Sequence, residues 1–245
     1  MARNIKFHNV FNFRDLGGYP TADGAALRWR RLFRADDLSR LTEPDHPGFL
    51  ALGIRTVIDL RRPEEVEQWG RVPPLHGVRY QHVHLVHPRW PVMEFADTGA
   101  RADFVRDRYL EMSEFGSAAI SEALRLIAEE RCTPLVFHCY SGKDRTGVIA
   151  ALVLALLGVA DEVIAADYEL SEAAEDQRWH WRTRADPDLA GRRWTHVTVS
   201  PGEGMLAFLH ELRRRHGSIE GYVAQLGVTS EHLAAMRTHL LERQR

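Results

Sequence analysis

The sequence predicts an α/β fold in which a central, mostly parallel sheet is flanked by helices. Two strand-to-helix transitions carry this prediction. The apolar run Pro134–Phe137 has the length of a buried strand, and the apolar segment Thr146–Leu157 beyond it is long enough for a buried helix. The β-forming run Ile54–Leu60 is likewise followed by a helix start at Pro63–Val66. Alternation of this kind is typical of parallel sheets covered by helices.

The N-terminal half is predicted to supply most of the remaining strands. Gly17-Gly18 closes a structured loop, and Pro88–Ala100 forms a long irregular connection of the kind that serves as a lid or binding loop. The elements between them are a strand over Leu27–Phe33, a helix starting at Thr42 and stopping at Gly53, the strand Ile54–Leu60 and a strand over Val78–Val86.

Helices dominate the second half of the chain, where apolar residues recur at helical spacing. Thr229 is a good cap for the last of them, and Val228 with Leu233 fits a hydrophobic staple. The predicted helices are Arg101–Phe115, Ser117–Glu130, Thr146–Leu157, Asp161–Arg182, Gly202–His216, Ser218–Leu226 and Ser230–Glu242.

The length of 245 residues suits one domain, in which residues 178–245 form a helical lid and extension. A balance of 32 basic and 34 acidic residues gives a net charge of -2, so no general field favours nucleic acid as a partner. The longest apolar stretch, around Val148–Leu157, is too short to span a bilayer. We therefore expect neither a nucleic-acid partner nor an integral membrane segment.

The chemistry concentrates in residues 138–145, called the cysteine loop below. A loop between a buried strand and a helix N-terminus directs backbone N–H groups at one point and forms an anion site. The helix N-terminus, Lys143 and Arg145 would stabilise the thiolate of Cys139, and Gly142 lets the backbone approach closely. The planar fork of Arg145 suits two phosphoryl oxygens. The pattern predicts attack of sulfur on phosphorus, with no metal or cofactor.

This loop resembles the signature of the cysteine-based protein tyrosine phosphatase superfamily. Within it, the run His138-Cys139-Tyr140-Ser141-Gly142-Lys143-Asp144-Arg145-Thr146-Gly147 and the segment Asn12–Tyr19 are similar to a bacterial and fungal tyrosine phosphatase group. The resemblance implies hydrolysis of phosphotyrosine, and often of phosphoserine, phosphothreonine or phosphoinositides. The partners would be phosphorylated proteins or phosphoinositides.

The resemblance also implies roles for single residues. Asp144 is the candidate general acid, the Thr146 hydroxyl would stabilise the thiolate as it leaves, and His138 would orient the loop. Arg14 or Asp15 is expected against the loop, bonding Arg145. The phosphate-binding residues expected beside these are Tyr140, Ser141, Gly142, Lys143, Gly147, Asp15, Asp59 and Arg61.

Asp59, Arg61 and Arg62 end a predicted strand. Ligands of open α/β sheets bind beyond the carboxyl ends of parallel strands, so these side chains are expected in the crevice of Cys139. Arg34 and Asp36-Asp37 are expected to approach the same site. Asp59 is the alternative general acid, and the competing interpretation is a cap for the helix that follows.

Two further segments have alternative interpretations. His82 and His84 share a strand face, but a catalytic zinc site needs a third protein ligand at a recognised spacing, so a strand end or a substrate rim is favoured. Gln177–Arg184 and Arg192–Trp194 mix tryptophan and arginine. We interpret them as a lid that stacks on an aromatic phosphoester or meets an anionic surface, against a solvated helix end with tryptophan packed inward.

Two other functions use a comparable loop. One is a module that binds phosphate without turnover, and the other is rhodanese-like sulfur transfer. The intact Cys139 argues against the first, and Arg145-Thr146 argues against the second.

Because a thiolate works only while reduced, and because Met1–Lys6 lacks a secretory pattern, a cytoplasmic location is expected, although export without such a signal stays open. The sequence does not indicate an oligomeric state.

Overall fold

The main sheet has five strands in the order β1-β3-β6-β4-β5, seen in a computed structural model that describes residues 2–90, 97–186, 188 and 200–243. Only the β1–β3 pair is antiparallel, so the predicted mostly parallel sheet is confirmed. A second sheet joins β2 to β7. The strands are β1 Arg14–Asp15, β2 Ala25–Leu27, β3 Leu32–Ala35, β4 Thr56–Asp59, β5 Arg79–His82, β6 Leu135–His138 and β7 Leu241–Arg243.

The register of the parallel strands sets the position of the site. Ala35 and Asp59 both lie opposite His138, so β3, β6 and β4 end at one level. The segments that leave these strands enter the same crevice, as expected at the carboxyl edge of a parallel sheet. The cysteine loop is the middle one of the three.

Helices account for most of the rest of the described chain. Their bounds agree with prediction within a few residues for most segments, as is usual for helix ends. They are α1 His46–Leu50, α2 Pro63–Trp69, α3 Thr98–Phe115, α4 Ser117–Ala128, α5 Asp144–Leu156, α6 Asp161–Glu169, α7 Ser171–Ala185, α8 Gly202–His216, α9 Ile219–Gln225 and α10 Ser230–Leu240.

Both faces of the sheet are covered, because alternate residues of each strand point to opposite sides. Leu135 and Phe137 pack with α5 in one cluster that also takes in α3, α4 and α8. Val136 faces the other way, into a smaller cluster with Phe13 and Phe49. Since α5 lies inside the larger cluster, its apolar residues are buried all round it, which explains the continuous apolar run. Within the described ranges, no helix is both long and apolar enough to cross a membrane.

Three predicted elements are wrong in detail. Leu27–Phe33 is not one strand, because Arg30 turns the chain at a φ of 61° between β2 and β3, which belong to different sheets. The helix predicted over Asp161–Arg182 is two helices that meet at Leu170. The end of the last predicted helix is the strand β7, which pairs with β2 and ties the C-terminal part of the chain to the N-terminal part.

Candidate active site

The cysteine loop connects β6 to α5, and α5 begins at Asp144. Cys139 is buried, with 1% of its surface exposed, at the N-terminal end of this long apolar helix. Arg145 lies in the first turn of α5 and is also buried. The nucleophile and the arginine therefore sit at the same end of one rigid element, where the helix dipole favours negative charge.

Three consecutive backbone carbonyl groups of the cysteine loop accept hydrogen bonds from residues outside the loop. The Tyr140 carbonyl accepts bonds of 3.3 Å from the amide of Asp37 and from Arg40 Nη2. Asn12 Nδ2 donates to the Ser141 carbonyl at 3.0 Å. Arg34 Nη2 donates to the Gly142 carbonyl at 2.8 Å.

These hydrogen bonds to the carbonyl groups set the direction of the loop amides. In a planar trans peptide the C=O of one residue points opposite to the N–H of the next. Holding the carbonyls of residues 140–142 therefore turns the amides of Ser141, Gly142 and Lys143 the other way. Three donors in a row on the inner side of a loop form a cradle suited to phosphoryl oxygens.

Gly142 is required by both conformation and space. Its φ is +67°, which disfavours a residue with a side chain. A Cβ at this position would lie 2.5 Å from the carbonyl oxygen of Ala35 and 2.7 Å from the amide nitrogen of Asp36. The loop can thus pass this close to the end of β3 only with glycine.

Two of the side chains that hold the loop, Arg34 and Asn12, are positioned by Asp167 of α6. Its carboxylate accepts from Arg34 Nη1 at 2.6 Å, from Arg14 Nε at 3.0 Å and from the Tyr19 hydroxyl at 2.8 Å. Burial alone would raise the pKa of Asp167, but the two guanidinium groups outweigh it and hold that pKa well below its usual range. Arg14 also donates to the amide oxygen of Asn12, so one buried carboxylate orients Arg34 directly and Asn12 through Arg14.

Arg145 is paired with Glu65, near the start of α2. Glu65 Oε2 and Oε1 lie 2.5 and 2.9 Å from Nη1 and Nη2 of Arg145. Burial would lower the pKa of Arg145, but Glu65 and the nearby Cys139 outweigh burial and raise it, so the guanidinium stays charged. Because Glu65 occupies the edge formed by the two terminal nitrogens, the edge that includes Nε is left to bind a substrate oxygen.

Asp144 is half-buried and stands one residue before Arg145. The Tyr109 hydroxyl donates to its Oδ1 at 2.8 Å, and the hydroxyls of Tyr109 and Tyr168 are 2.7 Å apart. The other carboxylate oxygen of Asp144 is not part of this contact, so one oxygen is fixed by the protein and the second can exchange a proton with a substrate.

Asp59 and Arg61 do not line the cradle. Both are completely buried, and Arg61 pairs with Asp59 at 2.7 Å and with Asp37 at 2.8 Å. Burial would raise the pKa of Asp59, but His138 and Arg61 outweigh it and lower that pKa far below the range of a general acid. The structure does not bring these two side chains to the surface, because Arg61 pairs with Asp59 in the interior, and their contact with substrate stays a prediction.

Asp15 and Gly147 also differ from expectation. The carboxylate of Asp15 accepts the amides of Gly17 and Arg30, at 2.8 and 2.7 Å, and so closes the turn before β3. The predicted bond from this segment to Arg145 is wrong, since Glu65 takes that place. The amide of Gly147 donates to the Lys143 carbonyl at 2.7 Å inside α5, so it is not a cradle donor.

His138 and Thr146 are two further predicted site residues, and both are buried. His138 is buried, with Nδ1 3.3 Å from the Cys139 carbonyl and Nε2 3.6 Å from Asp59, so its ring links the loop to the end of β4. The Thr146 hydroxyl is buried and has no hydrogen-bond partner in the described part of the chain. Its role towards the departing thiolate stays a prediction.

The predicted histidine pair and the tryptophan- and arginine-rich segment remain to be placed, and of the two histidines only His82 lies in β5. His82 Nε2 lies 2.9 Å from the Arg61 carbonyl, at the strand end. Over residues 2–90, 97–186, 188 and 200–243, no group of three or more metal-binding side chains is arranged around one point. In α7, the guanidinium of Arg178 lies 5.1 Å from the centre of the Tyr140 ring, so this helix packs beside the loop. Arg192–Trp194 fall outside the described residues, and the lid stays a prediction.

Sequence reasoning missed four residues that shape the site: Glu65, Tyr109, Asp167 and Tyr168. Glu65 had a signal, because it stands three residues after Arg62 at a helix start, but that spacing equally predicts the cap that it also forms through the Arg62 amide. The other three lie in helices far from the loop along the chain. No local pattern identifies them, since only the packing of α3 and α6 on α5 brings them there.

The chain is similar to a family of known proteins and to several individual proteins. A model of a tyrosine phosphatase family matches residues 5–242. The triple specificity protein phosphatase PtpB of Mycobacterium tuberculosis is 29% identical over 282 residues, covering 95% of this chain and 97% of the relative. A tyrosine-protein phosphatase of Nostoc commune is 27% identical over 235 residues, covering 90% and 78%. The solved Siw14 catalytic core covers 70% of this chain and 88% of its own, at 14% identity and a TM-score of 0.42.

Proposed function

The chain belongs to the tyrosine phosphatase family and is a cysteine-based phosphatase, and from this premise we propose how its residues divide the reaction. In the first step, the Cys139 thiolate attacks phosphorus and the bond to the leaving oxygen breaks. Asp144 gives its proton to that oxygen, and the products are a cysteinyl-phosphate and a free alcohol or phenol.

The cradle and Arg145 carry the charge of the transferring group. The three inward amides of residues 141–143 and the free edge of the Arg145 guanidinium bind its equatorial oxygens. These donors are fixed before substrate arrives, so they need no reorganisation during the reaction. The single observation that carries this proposal is the capture of three consecutive loop carbonyls, because it aims the amides at one point next to Cys139.

In the second step water attacks the cysteinyl-phosphate. Asp144, now ionised, takes a proton from that water, and the phosphorus–sulfur bond breaks to give inorganic phosphate and the thiolate. The Thr146 hydroxyl, buried and without another partner among the described residues, donates to the sulfur as it leaves. The first step therefore leaves Asp144 ionised, as the second step requires, and the second step leaves it protonated, as the first step requires.

We assign phosphotyrosine as the main substrate class, with phosphoserine, phosphothreonine and phosphoinositides as further classes. The name of the mycobacterial relative, a triple specificity phosphatase, supports this breadth. We also propose that residues 178–245 belong to this domain as its lid and helical extension, which the packing of α8 on α3 and α6 supports. We place the activity in the cytoplasm, because both cysteines are free and a thiolate nucleophile requires reducing conditions.

The competing functions are weaker. A module that only binds phosphate has no need for a proton donor beside the loop, and sulfur transfer has no need for a guanidinium clamped by Glu65. Membership in a tyrosine phosphatase family favours turnover over both.

The test compares phosphate release from phosphotyrosine and phosphoserine peptides and from phosphoinositides, with wild type and Cys139→Ser. We expect release from all three classes by wild type, fastest from phosphotyrosine, and none above background by the variant. Turnover by Cys139→Ser at the wild-type rate would contradict the mechanism. Thiosulfate turnover without phosphate release would favour sulfur transfer instead.

A further inference from the structure

We propose that Tyr109 is a positioning residue for the proton of Asp144, and that Tyr168 holds Tyr109 in place. This inference rests on the proposed role of Asp144 as general acid. It is carried by the hydrogen bonds of 2.8 Å from Tyr109 to Asp144 and of 2.7 Å between the two tyrosines.

The direction of these bonds follows from their chemistry. An ionised carboxylate only accepts, so the Tyr109 hydroxyl donates to Asp144 Oδ1. The Tyr109 oxygen is then free to accept from Tyr168. Both tyrosines are buried, and burial together with the charge of Asp144 raises the pKa of each above its ordinary value. Their protons are therefore retained throughout the working pH range.

The two rings are fixed by packing. Tyr109 is in edge contact with Tyr168 and Phe208, at centroid distances of 6.0 and 5.9 Å. Tyr168 in turn packs on α5, where a Cβ on Gly147 would lie 3.2 Å from its ring carbon Cδ2. Asp144 and Gly147 are one turn apart on the same helix. The series of contacts from Asp144 through both tyrosines to Gly147 thus begins and ends on α5. It fixes the orientation of the Asp144 carboxyl group with respect to this helix.

The consequence concerns which oxygen carries the proton. With Oδ1 held by Tyr109, the proton of the acid resides on Oδ2, the oxygen left to face the leaving group. When the phosphorus–oxygen bond breaks, this proton passes to the leaving oxygen, and Tyr109 donates to the carboxylate that remains. Without the Tyr109 hydroxyl, the carboxyl group of Asp144 can rotate or carry its proton on either oxygen. The proton is then transferred to the leaving oxygen in a smaller fraction of substrate encounters.

Asp167 and Tyr168 are neighbours in α6 and serve the two halves of the site. Asp167 holds Arg34, which bonds the Gly142 carbonyl, whereas Tyr168 holds Tyr109, which bonds Asp144. One dipeptide thereby supports both the phosphate cradle and the acid. This separates the expected effects, since loss of the Tyr109 hydroxyl leaves the Asp167 contacts intact.

The test uses Tyr109→Phe with a series of aryl and alkyl phosphates that differ in the basicity of the leaving oxygen. For alkyl phosphates we expect kcat/KM to fall about tenfold, a part of the rate that general acids supply. For p-nitrophenyl phosphate, whose leaving group needs no proton, we expect a change of less than about twofold. In an Asp144→Asn background, Tyr109→Phe should add no further loss, because it acts through that carboxyl group.

Tyr222→Phe is the matched control, since this buried hydroxyl also contacts α3, donating to the Ser113 carbonyl at 2.7 Å. It should leave the dependence on leaving group unchanged. Tyr168→Phe keeps the Tyr109 bond to Asp144, and should show the Tyr109→Phe pattern more weakly. It serves as the test if Tyr109→Phe does not fold.

An equal loss for all leaving groups, or a loss that persists in the Asp144→Asn background, would overturn the positioning role and make Tyr109 a packing residue. If Asp144→Asn itself showed no dependence on leaving group, the proposed acid would be wrong, and the inference would fall with it. A steep dependence for Asp144→Asn with a flat one for Tyr109→Phe would overturn the inference alone.

Discussion

Both terminal nitrogens of Arg145 donate to the carboxylate of Glu65, Nη1 to Oε2 at 2.5 Å and Nη2 to Oε1 at 2.9 Å. The pair joins α2, which follows β4, to the first turn of α5. The side chain of Glu65 is 21% exposed and that of Arg145 only 8%, so the carboxylate pairs with a largely buried guanidinium. The two hydrogen bonds fix the orientation of the Arg145 side chain.

We expect Glu65→Gln to lower kcat/KM by about tenfold for every substrate, because Arg145 loses its orientation whatever the leaving group. The free energy of unfolding should fall by about 1–3 kcal/mol, since a largely buried guanidinium loses its counter-charge. Steady-state kinetics and thermal unfolding measure the two effects. Glu64→Gln, one residue earlier and exposed, is the control and should change neither quantity.

Asp144→Asn should separate the candidate acid from its alternative. We expect a loss of at least about 100-fold for alkyl phosphates and a small loss for p-nitrophenyl phosphate, because only a basic leaving oxygen needs the proton. Asp59→Asn should instead destabilise the fold by about 3 kcal/mol, because it breaks a fully buried ion pair with Arg61. A strong dependence on leaving group for Asp59→Asn, with none for Asp144→Asn, would reverse the assignment.

Gly142→Ala should abolish turnover. The added methyl group would meet the Ala35 carbonyl oxygen at 2.5 Å, so the loop must move away from β3 and lose the cradle. Gly24→Ala is the matched control, because its φ of +81° carries the same backbone penalty and no atom lies within 4 Å of the added Cβ. We expect the control to lose about 1 kcal/mol of stability and to keep its activity. Comparable activity in the two variants would argue against the close approach as the cause.

Stability should decrease in acid because of Asp167. Its pKa is lowered in the folded state relative to an ordinary value of 3.8, so its contribution is complete above that value and is lost as the pH falls towards the folded pKa. We expect the part of the stability that Asp167 supplies to be constant above about pH 5 and to fall between about pH 5 and pH 2.

Asp167→Asn should be less stable at neutral pH and should lose less of its remaining stability on acidification. Thermal unfolding across this pH range measures both. Asp103→Asn is the control, since 66% of the Asp103 side chain is exposed. A variant at Asp167 whose acid profile parallels that of wild type would show that other carboxylates control the transition.

How far the sequence predicts the molecule depends on the range over which each interaction acts. The strand–loop–helix unit from Leu135 to Leu156 is predictable because its apolar runs, its glycine and its Cys139–Arg145 spacing are all local. The break between β2 and β3, which separates Leu27 from Leu32, is not predictable from the sequence. It arises because Arg30 adopts the left-handed conformation that sequence patterns assign to glycine. The split of the predicted Asp161–Arg182 helix at Leu170 has no glycine or proline to mark it.

The sequence by itself determined the reaction centre, because a thiol, an arginine and a glycine at fixed spacing are oriented by the one loop that contains them. Only the tertiary structure decided which distant groups serve that centre. Asp59 and Arg61 follow one another at the end of the neighbouring strand, yet they are fully buried in an ion pair with each other. Glu65 and Tyr109 reach the loop directly through the packing of α2 and α3, and Asp167 of α6 reaches it through Arg34. Buried charges and hydroxyls must find partners wherever the core places them.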